Sequence, residues 1–263
     1  MNLINKILYN LPESALKTKL LDWRFGKAIQ ETDLVYNLFK GSSFPKTMID
    51  VGAHFGDILE KFAKDGWVVF AFEPDPANRK LLEGLCSGYP AVKIFAQAVS
   101  DLDAPEMALY TSRESSGISS LTAFHESHVS ALRVPVTTLK TTLSQHPMPA
   151  ITFLKTDAEG FDLKVLQGFD WENHAAPECI VCEFEDGKTK LLGYMLSDMV
   201  DFLEKKGYRC LISEWHPIKR YGIRHQWKAF RGDPAAVSAD AWGNILAVKP
   251  PLWDKLLHLT QKI

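Results

Sequence analysis

The chain has 263 residues, 46% of them hydrophobic, enough for one sizeable core and ordinary for a single domain. Lys and Arg number 30 against 32 Asp and Glu, so no whole-chain field draws it toward nucleic acid. No apolar run approaches the ~20 residues of a membrane span, and the N-terminus lacks a signal peptide's apolar core and cleavage site; a soluble, cytoplasmic protein without a transmembrane segment is expected.

Leu3, Ile4, Ile7, Leu8 and Leu11 recur at helical spacing until Pro12 interrupts, and a second helical stretch covers residues 32–39 before Gly41. Residues 1–45 therefore read as an N-terminal helical cap. Lys6, Lys17 and Lys19 would let the first stretch touch a membrane surface, but its narrow apolar face and Pro12 favour packing on the core. From Lys46 to the end, residues 46–263, strands alternate with helices, the pattern of an α/β domain with a parallel sheet. Strands are expected at 47–50, 68–72, 92–98, 151–156, 179–184, 208–213 and 245–248. Helices are expected at 57–64, 76–85, 139–144, 162–166 and 195–205. Residues 108–111 and 134–137 read as extra strand pieces flanking a polar stretch, 112–130, that holds Gly117, His125 and His128. So polar an excursion suits a mobile loop over a pocket. Residues 214–242 form a second long irregular stretch, dense in Trp, His and Arg.

The most informative run is Asp50-Val51-Gly52-Ala53-His54-Phe55-Gly56 between the first strand and the first helix, followed by Glu73-Pro74 at the tip of the second strand, 21 residues after Gly52. A glycine turn lets backbone approach a ligand closely, and an acid at the next strand tip can accept hydrogen bonds from both ribose hydroxyls. A dinucleotide fingerprint would need glycine where His54 stands, so that a pyrophosphate could sit on the helix N-terminus. Asp50 would also repel such an anion. A carboxylate there suits a nucleoside cofactor with a cationic end, such as the ammonium and sulfonium of S-adenosylmethionine.

Cys179 and Cys182 form a CxxC inside an expected strand, where side chains three apart point to opposite faces and cannot share a metal. They read as buried structural thiols. His125 and His128 lack a matching cysteine pair and read as loop or helix-surface residues.

The runs MIDVGAHFGDILEKFAKDGWVVFAFEPDPANRKLLEGL, AQAVSD, Ser119-Ser120-Leu121 and FLKTDAEGFDLKVLQGF, in that order and over about half the chain, resemble the FkbM-type S-adenosylmethionine-dependent methyltransferases. The resemblance implies a Rossmann-like, seven-stranded, mostly parallel sheet (class I methyltransferase) with one antiparallel strand near an edge. It implies methyl transfer, usually to a hydroxyl oxygen of a sugar, polyketide or similar small metabolite. It would put Asp50, Gly52 and Gly56 around the methionine portion of the cofactor, with Ala53 in the same turn, and Glu73, beside Pro74, on the ribose. Gln97, Ala98, Val99 and Ser100 would lie by the adenine, and Asp157 would face the cofactor's amino acid or the incoming acceptor. In the DAEGFD run, Glu159 and Asp162 read either as site acids or as caps of the next helix.

Methyl transfer is an in-line displacement that needs alignment, exclusion of water and, for a hydroxyl acceptor, a base. The candidate bases are His54, Asp157, Glu183, His216 and His225; His54, lying in the cofactor turn, reads more as a residue that packs or orients that turn than as a base. The aromatic segment around His216 and His225 suits a sugar ring, or else covers the sheet edge. Asp157, Glu159 and Glu183 could give oxygens to a divalent ion, but cofactor binding already accounts for acids at strand ends, so no metal is expected. The expected partner is a small-molecule or glycan acceptor, not nucleic acid; a homo-oligomer and protein methylation stay open. Two other readings stand beside methyl transfer: a nicotinamide-dependent oxidoreductase, and a non-catalytic module that binds a nucleoside cofactor.

Overall fold

The computed structural model describes residues 14–112, 119–123, 128–148, 150–218 and 224–263. The apolar repeat from Leu3 to Pro12, with Lys6, and the loop residues Gly117 and His125 lie outside the described residues. The strands are β1 (Thr47–Val51), β2 (Val68–Phe72), β3 (Val92–Phe95), β4 (Ala98–Val99), β5 (Ala104–Ser112), β6 (His128–Thr137), β7 (Phe153–Thr156), β8 (Cys179–Glu185), β9 (Arg209–Trp215), β10 (Trp227–Arg231) and β11 (Trp242–Val248). The helices are α1 (Ala15–Phe25), α2 (Glu31–Phe39), α3 (Glu60–Lys64), α4 (Pro76–Cys86), α5 (Leu139–Gln145), α6 (Asp162–Gln167), α7 (Asp186–Thr189), α8 (Leu196–Lys205) and α9 (Trp253–Thr260).

One sheet has the order β3-β2-β1-β7-β8-β11-β9-β10. Its first five strands run parallel, and β11 is inserted antiparallel between β8 and β9. This is the expected Rossmann-like, mostly parallel sheet, with eight strands rather than seven. The extra one is β10, antiparallel on β9. It falls in the stretch read as irregular because its sequence, WKAFR, alternates no apolar face. It is held instead by a buried acid: Glu214 of β9, fully inaccessible, accepts from Lys228 Nζ (2.8 Å), Arg231 Nε (2.8 Å) and the Ser238 amide (3.0 Å). Burial works against the Glu214 charge, but these donors outweigh it and bring the carboxyl down to about 2.

Strand periodicity divides the core. Met48, Val69, Ala71, Phe153, Cys179 and Val181 face one side, where α2 packs with the C-terminal α9. Ile49, Phe70, Phe72, Leu154, Ile180, Cys182 and Phe184 face the other, over α6 and α8. Cys179 and Cys182 thus lie on opposite faces, as their strand spacing predicts, and all four cysteines are buried and free. The expected strand 92–98 splits in two: β3 ends at Phe95, and β4 joins a separate three-stranded sheet, β4-β6-β5. Residues 108–111 and 134–137, expected as strand pieces flanking the polar stretch, lie in the antiparallel pair β5/β6. Helix α9 has no counterpart among the sequence expectations. Among the described residues no helix is long and apolar enough to cross a membrane.

Helix α2 is anchored through Glu31, whose Oε1 accepts from Ser213 Oγ (2.6 Å) and Trp215 Nε1 (2.7 Å). A Glu31→Ala change leaves both buried donors unpaired, and should cost about 1–3 kcal/mol in urea unfolding, with Glu31→Gln less harmful because an acceptor oxygen remains.

Candidate functional site

The site forms where β1, β2 and β7 end. Gly52 turns the chain at φ +74°, and a Cβ there would lie 2.0 Å from the Asp157 carbonyl oxygen, so any side chain would collide with the end of β7. The Gly52 and Ala53 amides both donate to Phe72 O at 3.0 Å, which ties the turn to β2. His54 follows in the left-handed region at φ +50°, and this conformation aims its amide at Glu73 Oε2 (2.8 Å). The Asp75 amide donates to Glu73 Oε1 at 2.8 Å. Both carboxylate oxygens are therefore oriented by backbone. Burial pushes the Glu73 carboxyl up to about 7, with the two amides and Asn78 pulling against it.

Glu73 borders a cavity of about 320 Å³. Of the candidate cofactor residues, Gly52, Ala53, Glu73, Pro74, Gln97, Ala98, Val99 and Asp157 line it. Asp50, Gly56 and Ser100 do not. Asp50 is fully buried beneath the turn and pairs across β1 and β7 with Lys155, whose Nζ lies 3.2 Å from Asp50 Oδ1, an ion pair rather than an aligned hydrogen bond. The same ammonium donates to Gly52 O (3.3 Å) and stands 3.6 Å from Asp157 Oδ2. The acid expected at the cofactor's cationic end is thus screened by a cation of the chain itself. Burial opposes the Lys155 charge, but Asp50 and Asp157 more than offset it and hold the ammonium protonated, while burial pushes Asp50 upward. Gly56 makes room for helix α4, since a Cβ there would meet Leu82 and Leu85 at 2.7 and 2.6 Å. Ser100 prolongs the smaller sheet past β4, its amide donating to Thr137 O of β6 at 3.0 Å.

Among the candidate bases, His54 and Asp157 line the cavity. The His54 ring stacks on Phe55 with centroids 3.6 Å apart, and burial lowers its pKa against the pull of Asp157 and Asp57. Glu183, His216 and His225 do not line it. Glu183 is buried beside Lys188 (3.4 Å). His216 is engaged through its backbone, its amide donating to Gln226 O (3.0 Å) and its carbonyl accepting from Trp242 Nε1 (2.9 Å). The His225 ring meets Trp242 edge-on at 5.2 Å, and burial lowers its pKa against Glu185. Trp215 and Trp242 lie 5.3 Å apart, so these residues form an aromatic cluster where β9 ends and β11 begins.

Asp162, in the first turn of α6, braces the turn after β7: its Oδ1 accepts from Thr156 Oγ1 (2.6 Å) and the Ala158 amide (3.3 Å), and burial pushes it up to about 6. Sequence reasoning missed Lys155, Lys188 and Ser120. Lys155 carried a signal, as the one charge in the otherwise uncharged run 150–156 that ends on β7. Ser120 appeared only within the Ser119-Ser120-Leu121 run that carries the resemblance, and Lys188 lies close in sequence to Glu183 and Glu185 but meets Glu159 only through the fold.

A sequence model of the methyltransferase FkbM domain matches residues 50–210. No curated protein matches the chain. Among solved structures, a precorrin-6y C5,15-methyltransferase from Geobacter metallireducens is 14% identical, over 83% of this chain and 87% of that one, with a TM-score of 0.43. A TehB-like SAM-dependent methyltransferase from Corynebacterium glutamicum is 13% identical over 94% and 100%, with a TM-score of 0.41. An rRNA methylase from Streptococcus thermophilus is 9% identical over 83% and 93%, with a TM-score of 0.43.

Removing one partner of a buried ion pair strands the other. Asp50→Ala should lower unfolding free energy by about 3–5 kcal/mol in chemical denaturation. A loss under about 1 kcal/mol would mean that Lys155 does not depend on Asp50.

Proposed function

The chain belongs to the FkbM methyltransferase family, and we propose that it takes S-adenosylmethionine as methyl donor and a hydroxyl oxygen of a sugar, glycan or other small metabolite as acceptor. Glu73 carries this reading. It is an inward acid with both oxygens oriented by backbone amides, at the tip of the strand beside the glycine turn, where a ribose diol would find two acceptors. The cavity volume lies within the ~300–1,000 Å³ usual for small-molecule sites. Gln97, Ala98 and Val99 offer the adenine a wall of small and amide groups, and Asp157 offers a half-exposed carboxylate to an ammonium. The residues present therefore fit the cofactor.

When bound, S-adenosylmethionine supplies a methyl carbon activated by positive sulfur. The chain's own part is to orient the acceptor, exclude water and receive a proton. His54 suits the last task, since its lowered pKa keeps the imidazole neutral near pH 7 and it borders the cavity. The balanced charge favours a small acceptor over nucleic acid. Four free buried thiols accord with a reducing, cytoplasmic setting.

Glu73→Ala should weaken S-adenosylmethionine binding by about tenfold or more in calorimetry, as one carboxylate and two hydrogen bonds are lost; unchanged affinity would refute the assignment of the ribose site. Because the Glu73 carboxyl sits near 7, it is ionised above that pH and protonated below it. Wild-type affinity should therefore fall as pH drops from about 8 to about 6. His54→Asn keeps a residue that tolerates positive φ but removes the base. Tritiated-methyl transfer onto a glycan panel should slow by about 100-fold or more, with cofactor affinity little changed.

A further inference from the structure

Beside the cofactor cavity lies a second charged assembly, centred on Lys188, of which only Asp157 enters the scheme above. Lys188, on the short helix α7, is 4% exposed, and its Nζ contacts Glu159 Oε2 (2.5 Å), Glu185 Oε2 (2.9 Å) and Glu183 Oε2 (3.4 Å). Carboxylate oxygens of Asp157, Glu159 and Glu183 all lie within 4.8 Å of one another. Oxygen ligands at that mutual spacing, each 2.0–2.6 Å from a centre, are what a divalent cation requires. Here a primary ammonium lies against two of the three. Burial pushes the Glu159 and Glu183 carboxyls up and works against the Lys188 charge, but the surrounding acids prevail and keep the ammonium protonated.

Glu159 links this assembly to the cavity wall. Its backbone is in the left-handed region at φ +50°, and its carbonyl accepts from Ser120 Oγ at 2.8 Å. Ser120, tied to β5 by two backbone bonds with Tyr110 (2.8 and 3.0 Å), borders the same cavity as the glycine turn. Gly160 follows at φ +95°, where a Cβ would approach the Lys188 Cβ at 3.2 Å, and its carbonyl accepts from Tyr194 Oη. The side chain of Glu159 is thus drawn to Lys188 while its backbone supports the Ser120 segment.

We propose that Lys188 is a positioning residue for methyl transfer, a built-in substitute for a divalent cation: its ammonium gathers Glu159 and Glu183 and so fixes the Asp157–Glu159 edge and the Ser120 segment on either side of the reacting groups. This rests on the methyl-transfer reading of the cavity. An ammonium at the tip of a flexible stem neutralises the acids without a free coordination site, so the transfer needs no added metal.

The test is a Mn²⁺ titration followed by electron paramagnetic resonance on wild type, Lys188→Ala and Lys188→Gln, with S-adenosylmethionine calorimetry on each. Wild type should bind no Mn²⁺ at this site up to about 1 mM, whereas Lys188→Ala should acquire one Mn²⁺ at least about tenfold more tightly. Adding Glu183→Gln should remove the gained ion. A folded Lys188→Ala or Lys188→Gln protein that gains no Mn²⁺ overturns the proposal. So does wild type that binds Mn²⁺ at a site lost in Glu183→Gln, an arm that stands even if neither Lys188 variant folds. A loss of side-chain packing alone would not create a metal site. Failure of wild type to bind S-adenosylmethionine would refute the cofactor reading instead, leaving the Mn²⁺ result to judge Lys188 separately.

Discussion

Low-dielectric burial of acids at the carboxyl edge of the sheet is the constraint that organises this molecule. Asp50, Asp162 and Glu183 are all nearly inaccessible, and unpaired ionised carboxylates in such positions are prohibitively costly. The chain meets the difficulty from within. Lys155 rises from β7 to face Asp50 on the neighbouring strand, and Lys188 comes from the helix after β8 to face three glutamates. Asp162 is instead braced by a hydroxyl and an amide and shifted toward its neutral form. The parallel register supplies the partner for Asp50 alone, whereas Asp162 is served within its own β7–α6 connection and Glu183 by the helix that follows its strand.

This arrangement separates two kinds of acid that look alike in sequence. Asp50 and Glu73 both end parallel strands, yet Asp50 is spent on Lys155 while Glu73 is held by backbone amides and borders the cavity. Strand-end position alone does not distinguish them. The difference comes from what sits on the adjacent strand at the same level: Lys155 beside Asp50, and the turn around His54 beside Glu73.

The fold was legible where periodicity and turns are local. Strands β1, β2, β8 and β9 and helices α4, α5 and α8 fall close to their expected places, because short apolar runs and caps such as Asp75 act within a few residues. What stayed hidden depends on long-range partners. β10 carries no apolar alternation and exists because Glu214 engages Lys228 and Arg231. The break between β3 and β4 follows from Ala98 pairing with Val136, nearly forty residues on. Within the site, the glycine turn and Glu73 were legible for the same local reason, since both lie in a strand–turn unit. The positions of His216 and His225 were not, because residues from β9, β10 and β11 must meet before either can be placed.

The eighth strand also settles how the sheet ends. An open edge exposes unpaired amides and carbonyls to which a strand of another molecule can add. β10 is five residues long, breaks register between Trp227 and Ala229, and has its two cations turned back onto Glu214. Short length, a bulge and charge are each ways of making an edge a poor template. The residues that secure the last strand thereby discourage fibrillar self-association, a protective duty distinct from anything done at the cavity.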